Sequence, residues 1–227
     1  MIVVIGTPWL QIDAERGSAV GLAARIAVAA ARAGAQVQLV GKVGDDAPGD
    51  QLLLALARED VGHVAVLRPR ARTPVLLPPG DDDRADADLL EVGHEAAPEQ
   101  TDLPARDPAL ALEAGDLKLG LDYLVDFRAI VVAEPLDPGV AGIVAGAAAY
   151  AGAHVIVVGM PGSDLPELAG ATVFAAEDAD PTPGADPDGA LAGFVASFAV
   201  AVDRGEDPAD ALEAAVVAAG VERVEED

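Results

Sequence analysis

Short apolar runs alternate with helix-length segments along the whole chain, and this alternation constrains the fold more than any other feature. Residues 2–5 are all apolar and β-branched, as expected of a strand buried on both faces. Residues 19–33 are rich in alanine, carry Leu22 and Ile26 at helical spacing, and stop at Gly34. Further strands are predicted at 36–40, 63–67, 74–77, 129–133, 154–158 and 172–175, and further helices at 50–60, 110–124, 138–151, 188–204 and 208–219. Helices between buried strands predict a three-layer α/β/α fold with a mostly parallel central sheet.

We expect a single α/β domain over residues 1–227, a length that suits one well-buried core. One stretch within it breaks the alternation of strands and helices. Residues 78–108 hold several prolines, the run Asp81–Asp83 and few apolar side chains, which predicts an irregular acidic insertion or loop. Three consecutive aspartates can bind a cation, but a solvated loop is the preferred interpretation.

The excess of acidic residues bears on the salt concentration at which the folded chain is stable. It has 39 Asp and Glu against 14 Lys and Arg, a net charge of −25. Such charge repels itself in dilute buffer, and molar salt screens the repulsion. We interpret the composition as adaptation to a high-salt cytoplasm. The alternative is an acidic chain that binds a basic partner, and the spread of acids over the whole chain favours the first interpretation.

Several classes of protein are not expected. No segment concentrates Lys and Arg, which disfavours nucleic-acid binding. No apolar run reaches membrane-spanning length and no signal peptide is evident, so we expect a cytoplasmic protein without membrane contact. The chain has no cysteine, hence no disulfide and no thiolate metal site. His63, His94 and His154 lack the spacing of metal ligands.

Two common phosphate-binding signatures are also missing. There is no GxxxxGK[ST] sequence, and no GxGxxG follows the first strand. A P-loop nucleotidase and a standard dinucleotide-binding domain are therefore not expected.

Two other segments do carry a family resemblance. Residues 27–50, AVAAARAGAQVQLVGKVGDDAPGD, resemble the helix, turn, strand and "GxVGDDxxG" loop of the ribokinase-like, or PfkB, carbohydrate kinases. Residues 184–194, GADPDGALAGF, are similar to the "GAGDAFxAGF" motif of that family, and residues 199–219 to its pair of C-terminal helices. The resemblance implies the ribokinase-like fold.

The resemblance also implies a chemistry. In this family the aspartate of GAGD is the general base on a sugar hydroxyl, and Mg-bound ATP donates the phosphoryl group. Carried over, the base is Asp188, and the backbone at Gly184, Ala185 and Asp186 binds the phosphate at a helix N-terminus. Glu177 matches the glutamate that supports the magnesium site.

The phosphate-binding segment departs from the family pattern. Gly-Ala-Gly is replaced by Ala185-Asp186-Pro187. Proline has no backbone N–H to offer, and Asp186 places a carboxylate where the phosphate would bind. A structural interpretation needs no catalysis: Asp186 is the N-cap and Pro187 the first helical residue. We favour this interpretation.

The sugar-binding side departs as well. Gln11 stands where the family has a sugar-binding aspartate, although Asp13 lies two residues on. Of the family's GGKGAN segment only Gly21 is kept, and Arg25 replaces the asparagine. We expect no strands between Gln11 and Val20, so the lid strands that close over the sugar would be missing.

Three hypotheses follow. The first is a divergent PfkB homologue, a pseudokinase with reduced or lost phosphotransfer and a binding or regulatory role. The second is an active ATP-dependent sugar or nucleoside kinase that uses Asp188 as general base and needs Mg and ATP. The third is an unrelated α/β protein that binds a small ligand or joins an assembly. A sugar or nucleoside is the expected ligand in the first two, and a homodimer would not form through lid strands.

Overall fold

The computed structural model describes residues 1–13, 16–76, 106–159, 168, 170–175, 186 and 189–218. Its strands are β1 (Ile2–Ile5), β2 (Trp9–Asp13), β3 (Arg16–Val20), β4 (Val37–Lys42), β5 (Val61–Leu67), β6 (Val75–Leu76), β7 (Ala129–Val132), β8 (His154–Gly159) and β9 (Thr172–Ala175). Its helices are α1 (Leu22–Arg32), α2 (Ala47–Arg58), α3 (Ala114–Tyr123), α4 (Pro138–Ala151), α5 (Ala190–Asp203) and α6 (Pro208–Ala218).

The central sheet has six strands in the order β5-β4-β1-β7-β8-β9, and every neighbouring pair is parallel. Each strand face contacts a different helix layer. Ile2 and Val4 of β1 pack with α1, α5 and α6, whereas Val3 and Ile5 pack with α3 and α4. This alternation requires apolar side chains at every position, which explains the uninterrupted β-branched run. The predicted three-layer α/β/α fold is confirmed.

A second, three-stranded sheet has the order β3-β2-β6, with β2 antiparallel to β3 and parallel to β6. The prediction that strands are missing between Gln11 and Val20 is therefore wrong. Leu10 is fully buried against Val43, which follows β4, and against Leu52 of α2, and Ile12 packs beside it. The sequence alternates these apolar residues with Gln11 and Asp13, a period of two that a half-buried strand requires.

Helices α1 and α3 begin later in the structure than the sequence predicted. The first helix begins at Leu22 rather than Ala19, because Ala19 still belongs to β3 and Gly21 has a φ of 86°. Residues 108–110 form a 3-10 turn, and α3 begins only at Ala114. Most of the predicted irregular stretch 78–108 lies outside the described residues, which resume at residue 106.

The GxVGDD loop connects the sheet to α2. Asp46 accepts hydrogen bonds from Gly49 N (2.9 Å), Thr73 N (2.9 Å) and Thr73 Oγ1 (2.6 Å), and Gly44 N donates to Thr73 Oγ1 (2.9 Å). A Cβ at Gly49 would overlap the carbonyl oxygen of Gly44. Burial alone would raise the pKa of Asp46, but the hydrogen bonds from Thr73 and Gly49 and the charge of Arg68 lower it below its usual range. This loop stabilises the local fold through contacts within the protein.

Stability is expected to fall as the pH drops below about 6.5, with His154 as one source. Its Nε2 lies 2.8 Å from Thr172 Oγ1 and its ring edge meets Phe198. Burial lowers the pKa of His154, although Asp207 acts in the opposite direction. Because the unfolded chain binds this proton more readily, stability is complete above the unfolded pKa and is lost as pH falls through it.

Thermal melting from pH 8 to pH 5 checks this expectation, with the pH scale chosen to span the ordinary histidine pKa. A His154→Asn variant should lose less stability than wild type across that window. The matched change His63→Asn, on β5, should keep the wild-type profile. Parallel curves for wild type and His154→Asn would contradict the assignment.

Candidate functional site

The direction in which successive strands are added to the central sheet reverses between β1 and β7. From β1 the chain builds β4 and β5 on one side, and from β7 it builds β8 and β9 on the other. In open parallel sheets, ligands bind in the crevice outside the carboxyl ends of the strands at this point. Thr7 follows β1 and Glu134 follows β7, so these two residues lie at the crevice.

Thr7, Arg106 and Glu134 form a hydrogen-bonded group that we call the crevice cluster. Glu134 Oε2 accepts from Thr7 N (3.0 Å) and from Arg106 Nη2 (3.1 Å). The same Nη2 donates to Leu110 O (3.1 Å) and to Thr7 Oγ1. The Glu134 side chain is 4% exposed and that of Arg106 is 30% exposed. Arg106 Nε is buried with no hydrogen-bond partner among the described residues.

The sequence analysis did not select the crevice cluster, although a signal was present for part of it. Thr7 and Glu134 are the first side chains with hydrogen-bonding groups after two buried apolar strands. Side chains in that position point to the ligand-binding edge of a parallel sheet. Arg106 has no such signal, because it reaches Glu134 from the end of the irregular stretch.

Lys42 belongs to the GxVGDD loop and forms an ion pair within the protein. Its Nζ lies 2.5 Å from Asp116 Oδ2 and donates to Ala111 O at 2.9 Å. The pair is largely buried, with side-chain exposures of 10% and 22%. It joins the carboxyl end of β4 to the first turn of α3.

The predicted substrate residues fall into two groups. Gln11 and Asp13 lie on β2, where Gln11 is in register with Ser18 of β3. Gly21 is the N-cap of α1, and its φ of 86° gives it a backbone reason to be glycine. Arg25, in the first turns of α1, donates from Nη1 to the main-chain oxygen of Asp186. The structure thus brings together Arg25 and Asp186, which the sequence assigned to substrate and phosphate.

Asp186 occupies the start of α5. Its Oδ1 accepts from Leu191 N (3.1 Å) and its Oδ2 from Ala192 N (2.9 Å). The residue is 7% exposed. The N-cap is Gly189, with a φ of 70°, and the helix begins at Ala190. The prediction of Asp186 as the N-cap is wrong by three residues, but its carboxylate fills the helix N-terminus as expected.

Four predicted site residues are outside the described part of the chain: Gly184, Ala185, Asp188 and Glu177. Their assigned roles stay predictions.

Among the residues that the structure describes, no three carboxylate or imidazole side chains meet as a metal site would require. Within the same residues, no helix has the length and apolar character needed to cross a membrane.

Six parallel strands between two helix layers, with a crevice where the strand order turns, define a ribokinase-like α/β domain. Residues 16–117 match the profile of the pfkB family carbohydrate kinases. This part of the chain therefore matches the PfkB family, and the resemblance predicted from the sequence is confirmed. The matched residues include the GxVGDD loop and end before residues 184–194.

Solved structures agree with this fold. The chain is similar to a PfkB protein from Polaromonas sp. JS666, with a TM-score of 0.62, 15% identity and coverage of 96% of this chain and 94% of that one. For phosphofructokinase-2 from Escherichia coli, in its tetrameric inhibited form, the values are 0.61, 13%, 96% and 92%. For the ribokinase of Arabidopsis thaliana in complex with ribose and ATP they are 0.56, 16%, 96% and 90%. No curated protein sequence matches the chain.

Proposed function

We propose that this protein is a PfkB homologue that binds a sugar or nucleoside in the crevice and has reduced or lost phosphotransfer, serving a binding or regulatory role. One observation carries the proposal: the Asp186 carboxylate already accepts the hydrogen bonds of Leu191 N and Ala192 N. These amides stand at the helix start where the family resemblance places the phosphate.

An incoming phosphoryl group would have to displace that carboxylate. Two like charges about 4 Å apart repel by roughly 4 kcal/mol at the dielectric typical of a protein surface. The carboxylate is also buried, and the Asp186 main chain is held by Arg25. The described residues at this helix start therefore do not fit the phosphates of MgATP, the cosubstrate that the family resemblance implies.

The crevice cluster supports retained binding. Ligand sites combine an apolar wall with a few fixed polar groups, and hydroxyl groups pair well with a carboxylate. Both hydrogen bonds to Glu134 from described residues reach Oε2, so Oε1 is the atom that a ligand hydroxyl would contact. The Arabidopsis thaliana ribokinase in the comparison holds ribose and ATP. We propose that this chain keeps a site for the sugar.

Substitution of Asp186 and Pro187 tests whether the Asp186 carboxylate blocks an anion site at the start of α5. In the double variant Asp186→Gly/Pro187→Gly, both amides are freed and inorganic phosphate should bind at least about tenfold more tightly than to wild type. Loss of the two hydrogen bonds that the Asp186 carboxylate accepts should cost about 2 kcal/mol of stability, about 1 kcal/mol for each bond. Isothermal titration calorimetry measures the affinity and urea unfolding the stability.

Asp207→Gly is the matched control, because Asp207 Oδ1 caps α6 through Ala209 N at 2.9 Å. It removes a capping aspartate that lies beyond the opposite end of α5 from Asp186, and it should leave phosphate affinity unchanged. Equal phosphate binding by wild type and the double variant would show that Asp186 does not block an anion site.

A direct activity measurement separates the two kinase hypotheses. Wild type with MgATP and a panel of sugars and nucleosides in molar KCl is expected to give no phosphorylated product above the protein-free rate. At least one member of the panel should still raise the melting temperature, by the linkage of binding to stability. A sugar phosphate whose formation stops in Asp188→Asn would instead establish the active kinase.

A further inference from the structure

A groove of about 1130 Å³ runs between α1, α2 and β3 and reaches the first turn of α5. We call it the α1–α2 groove. It lies on the outer face of the α1 and α2 layer, apart from the crevice cluster. Arg25, Gly189 and Ala192 are shared with the candidate site. The inference concerns the part of the groove that runs along α1 and α2, so it goes beyond the proposed function, and its test substitutes none of these three residues.

The two helices line the groove with the same pattern. On α1, Arg25 and Arg32 stand seven positions apart, with Val28 and Ala29 between them. Residues at i, i+3, i+4 and i+7 share one face of a helix. Two helical turns separate the guanidinium-bearing positions by about 10 Å along the axis.

On α2, Gln51 and Arg58 repeat this spacing around Leu54 and Ala55. Both helices run from the carboxyl edge of the parallel sheet to its amino edge, so they run in the same direction. The groove therefore has a polar end at Arg25 and Gln51, an apolar floor, and a second polar end at Arg32 and Arg58.

The charge of the groove opposes that of the chain. Three of the 14 basic residues line it, against Glu59 as its acidic lining residue. Glu59 Oε2 pairs with Arg32 Nε at 2.8 Å. Arg58 is exposed and forms no ion pair within the described residues. Because the net charge of −25 repels anions, a local excess of arginine marks where one can be held.

The floor has exposed apolar surface. Leu54 is 51% exposed, although it stands in the middle of the groove. Apolar side chains gain free energy when a ligand removes them from water. A ligand for this groove therefore needs an apolar middle part as well as charged ends.

We propose that the α1–α2 groove binds a small organic dianion, a molecule with an anionic group at each end of an apolar chain. One anionic group pairs with Arg58 and Arg32, and the other lies between Arg25 and Gln51. The apolar chain covers Leu54. Guanidinium groups suit this task because they form paired hydrogen bonds with carboxylates.

Suberate, a linear dicarboxylate, is the probe, titrated calorimetrically into the full chain in low-salt buffer. Wild type should bind suberate at least about tenfold more tightly than octanoate, which has one anionic end. The double variant Arg32→Gln/Arg58→Gln should weaken suberate binding by at least about tenfold. Both side chains are exposed, so the fold does not depend on them.

The control Arg70→Gln/Arg128→Gln removes the same charge outside the groove and should bind suberate as wild type does. Leu54→Ser should weaken suberate binding while leaving the charges in place. Absence of suberate binding at millimolar concentration, or equal weakening by the two double variants, would overturn the proposal. The second result would show a general attraction by the remaining positive charge.

Discussion

Replacing Glu134 by alanine is expected to lower the free energy of unfolding by about 3 kcal/mol. The change leaves the Arg106 guanidinium without its carboxylate partner and Thr7 N without its acceptor. Removing one partner of a buried ion pair costs about 3–5 kcal/mol, because the remaining charge stays uncompensated. Since Arg106 is 30% exposed, water offsets part of that cost and the lower end of the range applies. Urea denaturation followed by circular dichroism measures the loss.

Glu59→Ala is the matched control. Glu59 also pairs with an arginine, but the side chains of Arg32 and Glu59 are 68% and 36% exposed. Exposed pairs contribute about 0–1 kcal/mol, so this variant should remain close to wild type.

The double variant Glu134→Ala/Arg106→Ala adds a second check. It should be less destabilised than the sum of the two single variants, because no charge is then left unpaired. A loss in Glu134→Ala no larger than in Glu59→Ala would contradict the buried role of the crevice cluster.

The sequence predicted the regular core well, because each core element carries a local pattern. The bounds of α4 and β9, residues 138–151 and 172–175, were predicted exactly. Pro138 marks a helix start and the buried strand β8 follows the helix. The β2–β3 hairpin was missed because the absent family motif outweighed the alternation of Leu10 and Ile12 with polar residues.

The candidate site was less predictable, since it depends on contacts between distant parts of the chain. Arg106 and Thr7 are 99 residues apart in sequence, and no local pattern records their contact. The capping by Asp186 was predictable from residue type. Its register was not, because Gly189 adopts a left-handed conformation and delays the helix start to Ala190.

The two family-like segments also differ in what they do. The GxVGDD loop keeps the family pattern, and its described contacts bind parts of the same chain, such as Thr73 to Asp46. These contacts give the motif a role in the fold alone, so its presence does not by itself indicate catalysis. The segment around Asp186 departs from the family pattern, with Ala185-Asp186-Pro187 in place of Gly-Ala-Gly. The resemblance therefore establishes the fold more firmly than the reaction.

Transfer from dilute buffer to molar KCl is expected to raise the melting temperature by about 10 °C, or roughly 3 kcal/mol for a chain of this size. The net charge of −25 makes the folded chain repel itself. The Debye length falls from about 30 Å at 0.01 M salt to about 3 Å at 1 M, which removes most of that repulsion. Calorimetric melting over a KCl series measures the slope.

The sign of that slope decides between two electrostatic effects. Salt weakens attractive pairs such as Arg32–Glu59 and would lower the melting temperature if such pairs dominated. The variant Asp210→Asn/Glu213→Gln removes two exposed charges of α6. It should melt above wild type in dilute buffer and with wild type in molar KCl, because screened charges no longer repel. A melting temperature that falls or stays level as KCl rises would reject self-repulsion, and with it the interpretation of the acidic composition as an adaptation to high salt.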